Sequence, residues 1–269
     1  MTSAPIRLMF LGNRRIAWDV LKLMSSEAYR SSFDIRALVT DEKIWHAYQA
    51  LQPQSDVCFI SSDRRESEKI YEIIKTQSID VLISIQYNWI IPGHILDLVG
   101  RRAFNLHNAR LPDYKGYHSI THAIANHDIS YETTIHWMAD EVDSGDIAYV
   151  ERTPIQADDT ARSLYLRTIN AAMLTVRNLL DDLSSGAELP RHAMPDGYGA
   201  FYARTSVASL ADVTELVNAE QLSHIARATF FPPSNTAHFF FGGKKYLLVP
   251  ESEIENISLT GKSINEPQL

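Results

Sequence analysis

The sequence predicts an α/β protein with a Rossmann-like, doubly wound and mostly parallel sheet, followed by a small C-terminal β-rich subdomain. Two patterns support this prediction. Between residues 6 and 183, continuous apolar segments of strand length alternate with amphipathic helical segments, which is typical of a parallel sheet covered on both faces. Further on, a Gly-Gly pair separates two aromatic and β-branched runs in HFFFGGKKYLLV, which indicates a hairpin with a two-residue turn.

The first half of the chain contains the predicted parallel strands. The first, IRLMFLGN, ends in a Gly-Asn pair and is followed by the helical pattern RIAWDVLKLMSS. A second helical pattern, RRESEKIYEIIKT, precedes the fourth strand. The other strand segments in this half are FDIRALVT, DVCFIS, IDVLISIQ and AFNLH.

The second half completes a main domain and then changes in composition. We predict a helix from about Ser119 to His127, strands in YETTIHWMA and DIAYVERTPI, and a long amphipathic helix that ends near residue 183. The segment SSGAELPRHAMPDGYG then contains several prolines and glycines and indicates a linker or loop. The predicted division is therefore a main domain over 1–185, a small subdomain with the hairpin over 186–250, and a polar tail over 251–269.

The composition argues against several classes of protein. The 269 residues are 45% hydrophobic, which is enough for a sizeable core, and the formal net charge of −8 disfavours a general nucleic-acid surface. The single cysteine, Cys58, permits neither an intrachain disulfide nor a multi-cysteine metal site. No apolar run approaches the ~20 residues of a membrane span, and the N-terminus lacks a signal-peptide pattern. We therefore expect a cytoplasmic protein that binds neither membrane nor nucleic acid.

Two polar residues at strand spacing occur at the end of the fifth predicted strand. Asn105 and His107 share one face because side chains alternate along a strand, and ligand sites form at the carboxyl ends of parallel strands. In isolation, an amide that caps a turn and a core histidine explain this pair better than a site does. A second segment, HWMADEVDSGDIAYV, favours a site instead, because it places an acidic turn between two strands. Within this turn, Asp143 is the most plausible carboxylate to reach the His107 imidazole.

An amide, an imidazole and a carboxylate together suit acyl transfer without a covalent intermediate. In this interpretation the amide N–H of Asn105 stabilises an oxyanion and His107 takes a proton from the attacking group. Asp143 orients the imidazole and raises its proton affinity. The sequence therefore predicts Asn105, His107 and Asp143 as catalytic residues.

These residues give the chain a resemblance to the tetrahydrofolate-dependent formyltransferases. FNLHNARLPDYKG resembles that family's Asn-x-His strand end with its Leu-Pro-x-Tyr-x-Gly loop, and DEVDSGDI resembles its Asp-x-Gly-type turn. The resemblance covers roughly residues 5–180, and Asn105, His107 and Asp143 match the family's catalytic amide, histidine and aspartate. It implies the formyltransferase fold, N10-formyltetrahydrofolate as the formyl donor, and no metal.

The resemblance also implies where the donor binds. In the family the pterin lies between a loop after the preceding strand and the acidic turn, which are QYNWIIP and ADEVD in this chain. A flat, amide-like pterin suits backbone groups and apolar side chains. Ordinary core packing explains any one of these apolar residues equally well. The residues expected to bind the donor are Gln86, Tyr87, Trp89, Ile90, Ile91, Asp140, Glu141 and Val142.

Members of the family formylate different amines, and the region after the main domain is expected to distinguish them. The tRNA enzymes carry a larger, basic C-terminal domain, whereas residues 187–269 here hold six Lys and Arg against nine Asp and Glu. The aromatic C-terminal segments are instead similar to those of the sugar N-formyltransferases. The resemblance thus implies a nucleotide-linked amino sugar as acceptor, such as a dTDP-4-amino-dideoxyhexose, and a role in lipopolysaccharide O-antigen synthesis.

Candidate acceptor-binding residues come from three places. The first strand-to-helix turn can meet an anionic group, although surface arginines explain it equally well. The loop after His107 borders the acceptor, and the C-terminal segments offer aromatic faces, including Phe201 and Phe231, and basic groups for a base and a diphosphate. Those aromatics also suit the subdomain's own core. The acceptor-binding candidates are Gly12, Asn13, Arg14, Lys115, Tyr117, His118, Tyr202, Arg204, Arg227, Phe230 and Lys244.

Two metal-binding patterns are weak. DEVDSGDIAYVE has the length of a calcium loop, but Val142 occupies a ligand position and cannot coordinate an ion. His118 and His122 are four residues apart without an evident third ligand, which is insufficient for zinc. We therefore predict no metal.

Two alternatives to a sugar formyltransferase stay open at this point. One is a related enzyme that uses methionyl-tRNA, a glycinamide or water as acceptor. The other is a non-catalytic binding module that keeps the fold, which the complete set of Asn105, His107 and Asp143 argues against. The aromatic hairpin strands need a partner surface, and for this reason we expect a homodimer.

Overall fold

The computed structural model describes residues 4–195, 199–216, 218–232 and 235–256. Its strands, numbered in chain order, are β1 (Ile6–Gly12), β2 (Phe33–Thr40), β3 (Cys58–Ser61), β4 (Val81–Ile85), β5 (Ala103–His107), β6 (Tyr114–Gly116), β7 (Ser130–Trp137), β8 (Ile147–Pro154), β9 (Ala200–Tyr202), β10 (His238–Phe241) and β11 (Lys244–Leu247). Its α-helices are α1 (Arg14–Met24), α2 (Glu42–Leu51), α3 (Ser67–Gln77), α4 (Gly93–Leu98), α5 (Ser119–Ala125), α6 (Ala161–Ser185), α7 (Ser206–Ala211) and α8 (Ala219–Thr229).

A seven-stranded sheet with the order β3-β2-β1-β4-β5-β7-β8 organises the chain. The first five strands of that order are parallel, whereas β7 is antiparallel to both β5 and β8. The strand order reverses between β1 and β4, and the carboxyl ends of strands next to such a point are where open α/β sheets bind ligands. The predicted doubly wound, mostly parallel sheet is therefore confirmed.

Helices cover both faces of this sheet, as the continuous apolar strands require. Leu8 and Phe10 of β1 are buried in a core that includes α1 and α6. Met9 and Leu11 of the same strand are buried in a second core with α3 and α4. Because side chains alternate along a strand, one apolar run contributes to both cores.

The long helix α6 has a capping motif at each end. The Thr160 hydroxyl accepts a hydrogen bond from the Ser163 backbone N–H at 3.0 Å, and the Ser163 hydroxyl accepts one from the Thr160 N–H at 2.9 Å. This reciprocal pair is a capping box. At the other end, Gly186 adopts a φ of +72°, a left-handed conformation that glycine favours after the last helical turn.

Several short elements were not predicted from the sequence. Helix α2 has only two buried residues, Ile44 and Tyr48, so its apolar pattern is weak. Helices α4 and α7 have six residues each, which is too short for a clear helical period. Strands β6 and β9 have three residues each and are stabilised by pairing with one another in parallel, far apart in sequence.

The C-terminal region contains the predicted hairpin. Strands β10 and β11 pair around Gly242 and Gly243, whose φ values of +57° and +76° fit the favoured two-residue turn. Strand β9 pairs with β6, and α8 packs on α5, so this region contacts the main sheet's own layer of helices. The boundary predicted at residue 185 stays a prediction.

The start of the predicted polar tail forms a 3₁₀ helix at Glu251–Asn256. Glu253 is buried there, accepts a 2.6 Å hydrogen bond from the Thr160 hydroxyl and lies 3.5 Å from the Arg162 guanidinium. The remainder of the tail, 257–269, lies outside the described residues. In the described ranges, no helix combines the length and the apolar character needed to cross a membrane.

Candidate active site

The three predicted catalytic residues meet at the ends of neighbouring strands. Asn105 and His107 lie at the carboxyl end of β5, and Asp143 lies in the turn between β7 and β8. The antiparallel register of β5 and β7 places Asn105 directly opposite His136. The structure therefore brings together an amide, two imidazoles and a carboxylate, of which His136 was not predicted.

The turn that carries Asp143 folds tightly against the end of β7. A Cβ atom built on Gly145 lies only 1.8 Å from the Trp137 carbonyl oxygen, so a side chain at this position cannot be accommodated without movement of the turn. Asp143 itself adopts a left-handed φ of +52°, which aspartate tolerates better than most residues. This backbone conformation turns the carboxylate inward, where it is 8% exposed.

Three groups surround the Asp143 carboxylate. Oδ2 accepts a 3.2 Å hydrogen bond from the Gly116 backbone N–H and lies 3.6 Å from Nδ1 of His107. Oδ1 lies 3.5 Å from Nε2 of His136. Burial raises the pKa of Asp143, but the positive charge that His107 and His136 carry when protonated and the Gly116 N–H outweigh it and lower the pKa to about 2. Asp143 is therefore a carboxylate throughout the neutral range.

The orientation of the His107 ring follows from its second nitrogen. Nε2 lies 2.7 Å from the backbone carbonyl oxygen of Tyr114. A carbonyl oxygen only accepts hydrogen bonds, so Nε2 carries a proton. The nitrogen that is able to accept a proton is therefore Nδ1, which faces Asp143.

These residues border a cavity of about 460 Å³. One side of it is formed by the loop after β4 and by the acidic turn. Of the residues expected to bind the donor, those that line the cavity are Gln86, Tyr87, Trp89, Ile90, Ile91, Glu141 and Val142. Asp140 is placed elsewhere, since its carboxylate lies on the surface and accepts a 2.8 Å hydrogen bond from Arg101.

Only three of the acceptor-binding candidates line the other side of the cavity. Arg14, Tyr117 and His118 line it, together with Phe201 and Phe231. Arg204 stacks on the Tyr117 ring at 4.9 Å and so borders this side from outside. Of the arginines and lysines in the described part of the chain, only Arg14 lines the cavity itself.

The remaining acceptor-binding candidates are not among the residues that line the cavity. Phe230 is 1% exposed and packs in the interior, where it offers no face to a ligand. Tyr202 stacks behind the cavity on His122 at 3.8 Å, and Arg227 donates to the Asp159 carbonyl at 2.9 Å. The others are Gly12 and Asn13, which are buried beneath the first turn, Lys115 on β6, and Lys244 on the exposed hairpin.

Several lining residues were not predicted. His136 begins the segment that supplied Asp143, and alternation along β7 predicts its face of the sheet but not that its partner is Asn105. Tyr131 shares that strand, and Tyr165 lies on α6, where helical spacing alone does not separate a cavity wall from the core. Asn235 has no sequence signal, because it reaches the cavity only through the packing of the C-terminal region.

The two histidines considered for zinc have other partners. His118 donates from Nε2 to the Arg204 carbonyl at 2.9 Å, and Nε2 of His122 lies 2.8 Å from the Ser206 hydroxyl. Burial and the nearby His118 lower the pKa of His122 to about 4. Within the described ranges, no group of three or more His, Cys, Asp or Glu side chains is arranged to hold a metal ion.

Comparisons with known proteins identify a matching family and similar relatives. Residues 7–176 match the family described as formyl transferase. The chain is 32% identical over 195 residues to a GDP-perosamine N-formyltransferase from Brucella melitensis, which covers 72% of this chain and 73% of that protein. It is 35% identical over 173 residues to a methionyl-tRNA formyltransferase from Acidithiobacillus ferrooxidans, which covers 64% of this chain and 54% of that protein.

A solved structure shares the fold. The crystal structure of an N-formyltransferase from Helicobacter canadensis, in complex with folinic acid and dTDP-3-aminofucose, superposes with a TM-score of 0.64 at 18% identity. The match covers 84% of this chain and 81% of that one. The likeness extends beyond the sheet into the C-terminal region.

Proposed function

The chain belongs to the formyl transferase family, and from this membership we propose that it transfers a formyl group from N10-formyltetrahydrofolate to the primary amine of a nucleotide-linked amino-dideoxy sugar. The observation that carries the proposal is the meeting of Asn105, His107 and Asp143 at one cavity with two different sides. One side suits a flat heteroaromatic donor, and the other presents a cation and aromatic rings to an acceptor.

The donor side has the chemistry that a pterin needs. Trp89, Ile90 and Val142 provide apolar walls, and their exposed fractions of 38%, 59% and 42% leave apolar surface free for a ligand. Trp89 is held in place because its indole N–H donates to the Ser62 carbonyl at 2.8 Å. Gln86 and Glu141 add polar groups that suit the amide-like edge of the ring.

The acceptor side supports a nucleotide-linked sugar. Arg14 supplies a positive charge for a diphosphate, and Tyr117, Phe201 and Phe231 supply ring faces for a base or sugar. The Brucella relative is named for a GDP-linked amino sugar, and the Helicobacter protein was solved with a dTDP-linked one. We favour a dTDP-linked acceptor, as the sequence resemblance implied, with a GDP-linked sugar as the second candidate.

In the proposed mechanism one proton is transferred, and the formyl carbon exchanges its bond to N10 for a bond to the acceptor amine. The neutral amine of the acceptor attacks the formyl carbon, and a side-chain N–H of Asn105 stabilises the oxyanion of the tetrahedral intermediate. His107 takes a proton from the attacking amine at Nδ1, and Asp143 stabilises the imidazolium. The bond from the formyl carbon to N10 then breaks, and His107 returns the proton to N10. The products are the formylated sugar and tetrahydrofolate.

We further propose that the enzyme is a cytoplasmic homodimer that serves O-antigen synthesis. The hairpin supports the dimer, since Phe240 and Leu247 are 48% and 63% exposed on a two-stranded sheet whose further backbone pairing in the described structure is an isolated bridge between His238 and Asp212. Exposed apolar strands of this kind usually contact a partner.

A screen of acceptors tests the proposed function. The purified protein is incubated with N10-formyltetrahydrofolate and with dTDP-, UDP- and GDP-linked amino sugars, and products are followed by mass. The expected result is the addition of one formyl group to one of these sugars. Release of tetrahydrofolate without a formylated sugar would identify a hydrolase instead. In a parallel reaction with methionyl-tRNA, formylation of that acceptor alone would identify the tRNA enzyme.

A further inference from the structure

His136 and Asn105 form a contact that the proposed mechanism does not yet use. They are direct cross-strand partners on β7 and β5, so the sheet register fixes their proximity. His136 lines the cavity but is only 3% exposed. Protein groups are therefore the main hydrogen-bond partners of its ring nitrogens.

The His136 ring donates one hydrogen bond and accepts another. Nδ1 lies 2.8 Å from the Trp137 carbonyl oxygen, which only accepts, so Nδ1 carries the proton. In the neutral ring Nε2 then holds a lone pair, and the atom 3.1 Å away is Nδ2 of Asn105, which only donates. The Asp143 carboxylate is farther from Nε2, at 3.5 Å. The chain of donation is therefore Asn105 to His136 to the Trp137 carbonyl.

This arrangement of hydrogen bonds selects one of the two orientations of the Asn105 amide. An amide nitrogen and oxygen are nearly equal in size, so packing alone barely separates the two orientations. With the lone pair of Nε2 on one side, the reversed amide would place two acceptors against each other and lose the bond. The second N–H of Asn105 is left free for the cavity, where the oxyanion forms.

We propose that His136 is a positioning residue, which holds the Asn105 amide so that an N–H rather than the carbonyl oxygen is presented to the formyl group. The inference rests on the proposed function, because it assigns His136 a role through Asn105. A preorganised donor of this kind needs no reorientation at the moment of reaction, which is the source of its catalytic value.

Two substitutions separate the two hydrogen bonds of His136. His136→Asn keeps a side-chain N–H for the Trp137 carbonyl but removes the acceptor that contacts Asn105. His136→Gln places an amide oxygen near the position of Nε2 and so keeps that acceptor. We expect His136→Asn to lower kcat by about 10- to 100-fold with KM for both substrates within about threefold, and His136→Gln to retain kcat within about threefold.

A double-mutant cycle distinguishes positioning from general packing. In an Asn105→Ala background the amide is gone, so His136→Asn is expected to change the residual kcat by less than about twofold. Thermal unfolding is followed for each variant. Equal losses of kcat in both backgrounds, or equal losses for His136→Asn and His136→Gln, would overturn the proposal.

A second readout does not depend on turnover. The side-chain amide signal of Asn105 in a ¹H–¹⁵N spectrum is identified by its loss in Asn105→Ala. It is expected to shift in His136→Asn and to stay near its original position in His136→Gln. If no acceptor is turned over by the unaltered enzyme, the proposed function fails, while this spectrum still decides the orientation of the amide. An unshifted signal in His136→Asn contradicts the inference.

Discussion

The backbone carbonyl of Tyr114 lies 2.7 Å from Nε2 of His107, and this contact directs proton uptake to the other nitrogen of the ring. Nδ1 faces the Asp143 carboxylate at 3.6 Å. A neutral ring gains little from that carboxylate, whereas an imidazolium protonated at Nδ1 gains an opposite charge at short range. The proton that the proposed mechanism transfers from the amine to His107 is therefore placed on the ring nitrogen beside Asp143.

Removal of the His107 imidazole tests its role as the base. We expect His107→Gln to lower kcat by about 10²- to 10⁴-fold, the usual contribution of a positioned acid or base. KM for the donor is expected to change little, since His107 lies between the two sides of the cavity. Steady-state kinetics measure both values. The matched control is His46→Gln on the exposed face of α2, which is expected to keep full activity.

The low pKa of Asp143 predicts a pH-dependent contribution to stability. The folded-state pKa of about 2 lies below the ordinary value of 3.8, so folding favours the ionised form. This contribution, on the order of 2 kcal/mol, is complete above about pH 5 and is lost as the pH falls through 4 towards 2. We expect Asp143→Asn to be less stable than the unaltered protein at pH 7 and to approach it in acid.

Urea unfolding at pH 7, 4 and 3 measures this difference. Asp140→Asn is the control, because that carboxylate lies on the same turn but its side chain is 68% exposed. An exposed ion pair contributes little to stability, so Asp140→Asn is expected to follow the unaltered protein at every pH. A constant gap between Asp143→Asn and the unaltered protein over this range would contradict the assignment.

The sequence predicted the candidate catalytic residues at the end of β5 but not all of the groups that contact them. Asn105 and His107 were found because their spacing of two matches the strand period, and Asp143 because an acidic turn follows a strand. His136 was not predicted because its position opposite Asn105 depends on the register between β5 and β7, which local patterns do not encode. The Tyr114 carbonyl is a backbone group, and nothing in a sequence marks which carbonyl a ring will meet.

The C-terminal region was the least predictable part for the same reason. Phe230 and Phe231 are adjacent and equally apolar, yet Phe230 is buried and Phe231 lines the cavity. Their directions follow from the end of α8 and from the backbone pairing of Phe231 with Asn235. Strand β9 is stabilised by its pairing with β6, which is distant in sequence, so three residues of local sequence could not reveal it.

Arg14 is expected to bind the acceptor's diphosphate. A charge-assisted hydrogen bond contributes about 1.5–3 kcal/mol, so Arg14→Ala should raise KM for the nucleotide sugar by about 10- to 100-fold and leave KM for the donor nearly unchanged. Arg15→Ala is a closely matched control, because the Arg15 guanidinium lies 3.6 Å from Asp19 in an ion pair on the same helix. Equal effects of the two substitutions would remove Arg14 from the proposed site.

Ile90 is expected to contribute apolar contact to the donor. It lines the cavity and is 59% exposed without a ligand, so a bound pterin would cover it. Ile90→Ala removes about 1 kcal/mol or more of such contact, which corresponds to roughly a fivefold weaker donor affinity. Calorimetric titration with a folate analogue measures the change. Ile129→Ala, at an 87% exposed position that is not a lining residue, is expected to leave the affinity unaltered.

The hairpin is expected to form the dimer through its outward face. Phe239 packs against the core of the C-terminal region, so the alternate residues Phe240 and Leu247 lie on the opposite face of the hairpin. A two-stranded hairpin is marginal in water by itself, and apolar residues on both strands of one face give it a surface to bury. A double substitution, Phe240→Ser with Leu247→Ser, should therefore convert a dimer to a monomer.

Light scattering after size-exclusion chromatography measures the mass directly. Phe241→Ser is the control, because Phe241 is 73% exposed at the hairpin tip on the same face as Phe239. If hydrophobic exposure alone caused association, Phe241→Ser would weaken it at least as much as the double substitution. If the outward face is the interface, the control stays dimeric while the double variant dissociates. A monomeric unaltered protein at micromolar concentration would contradict the proposed homodimer outright.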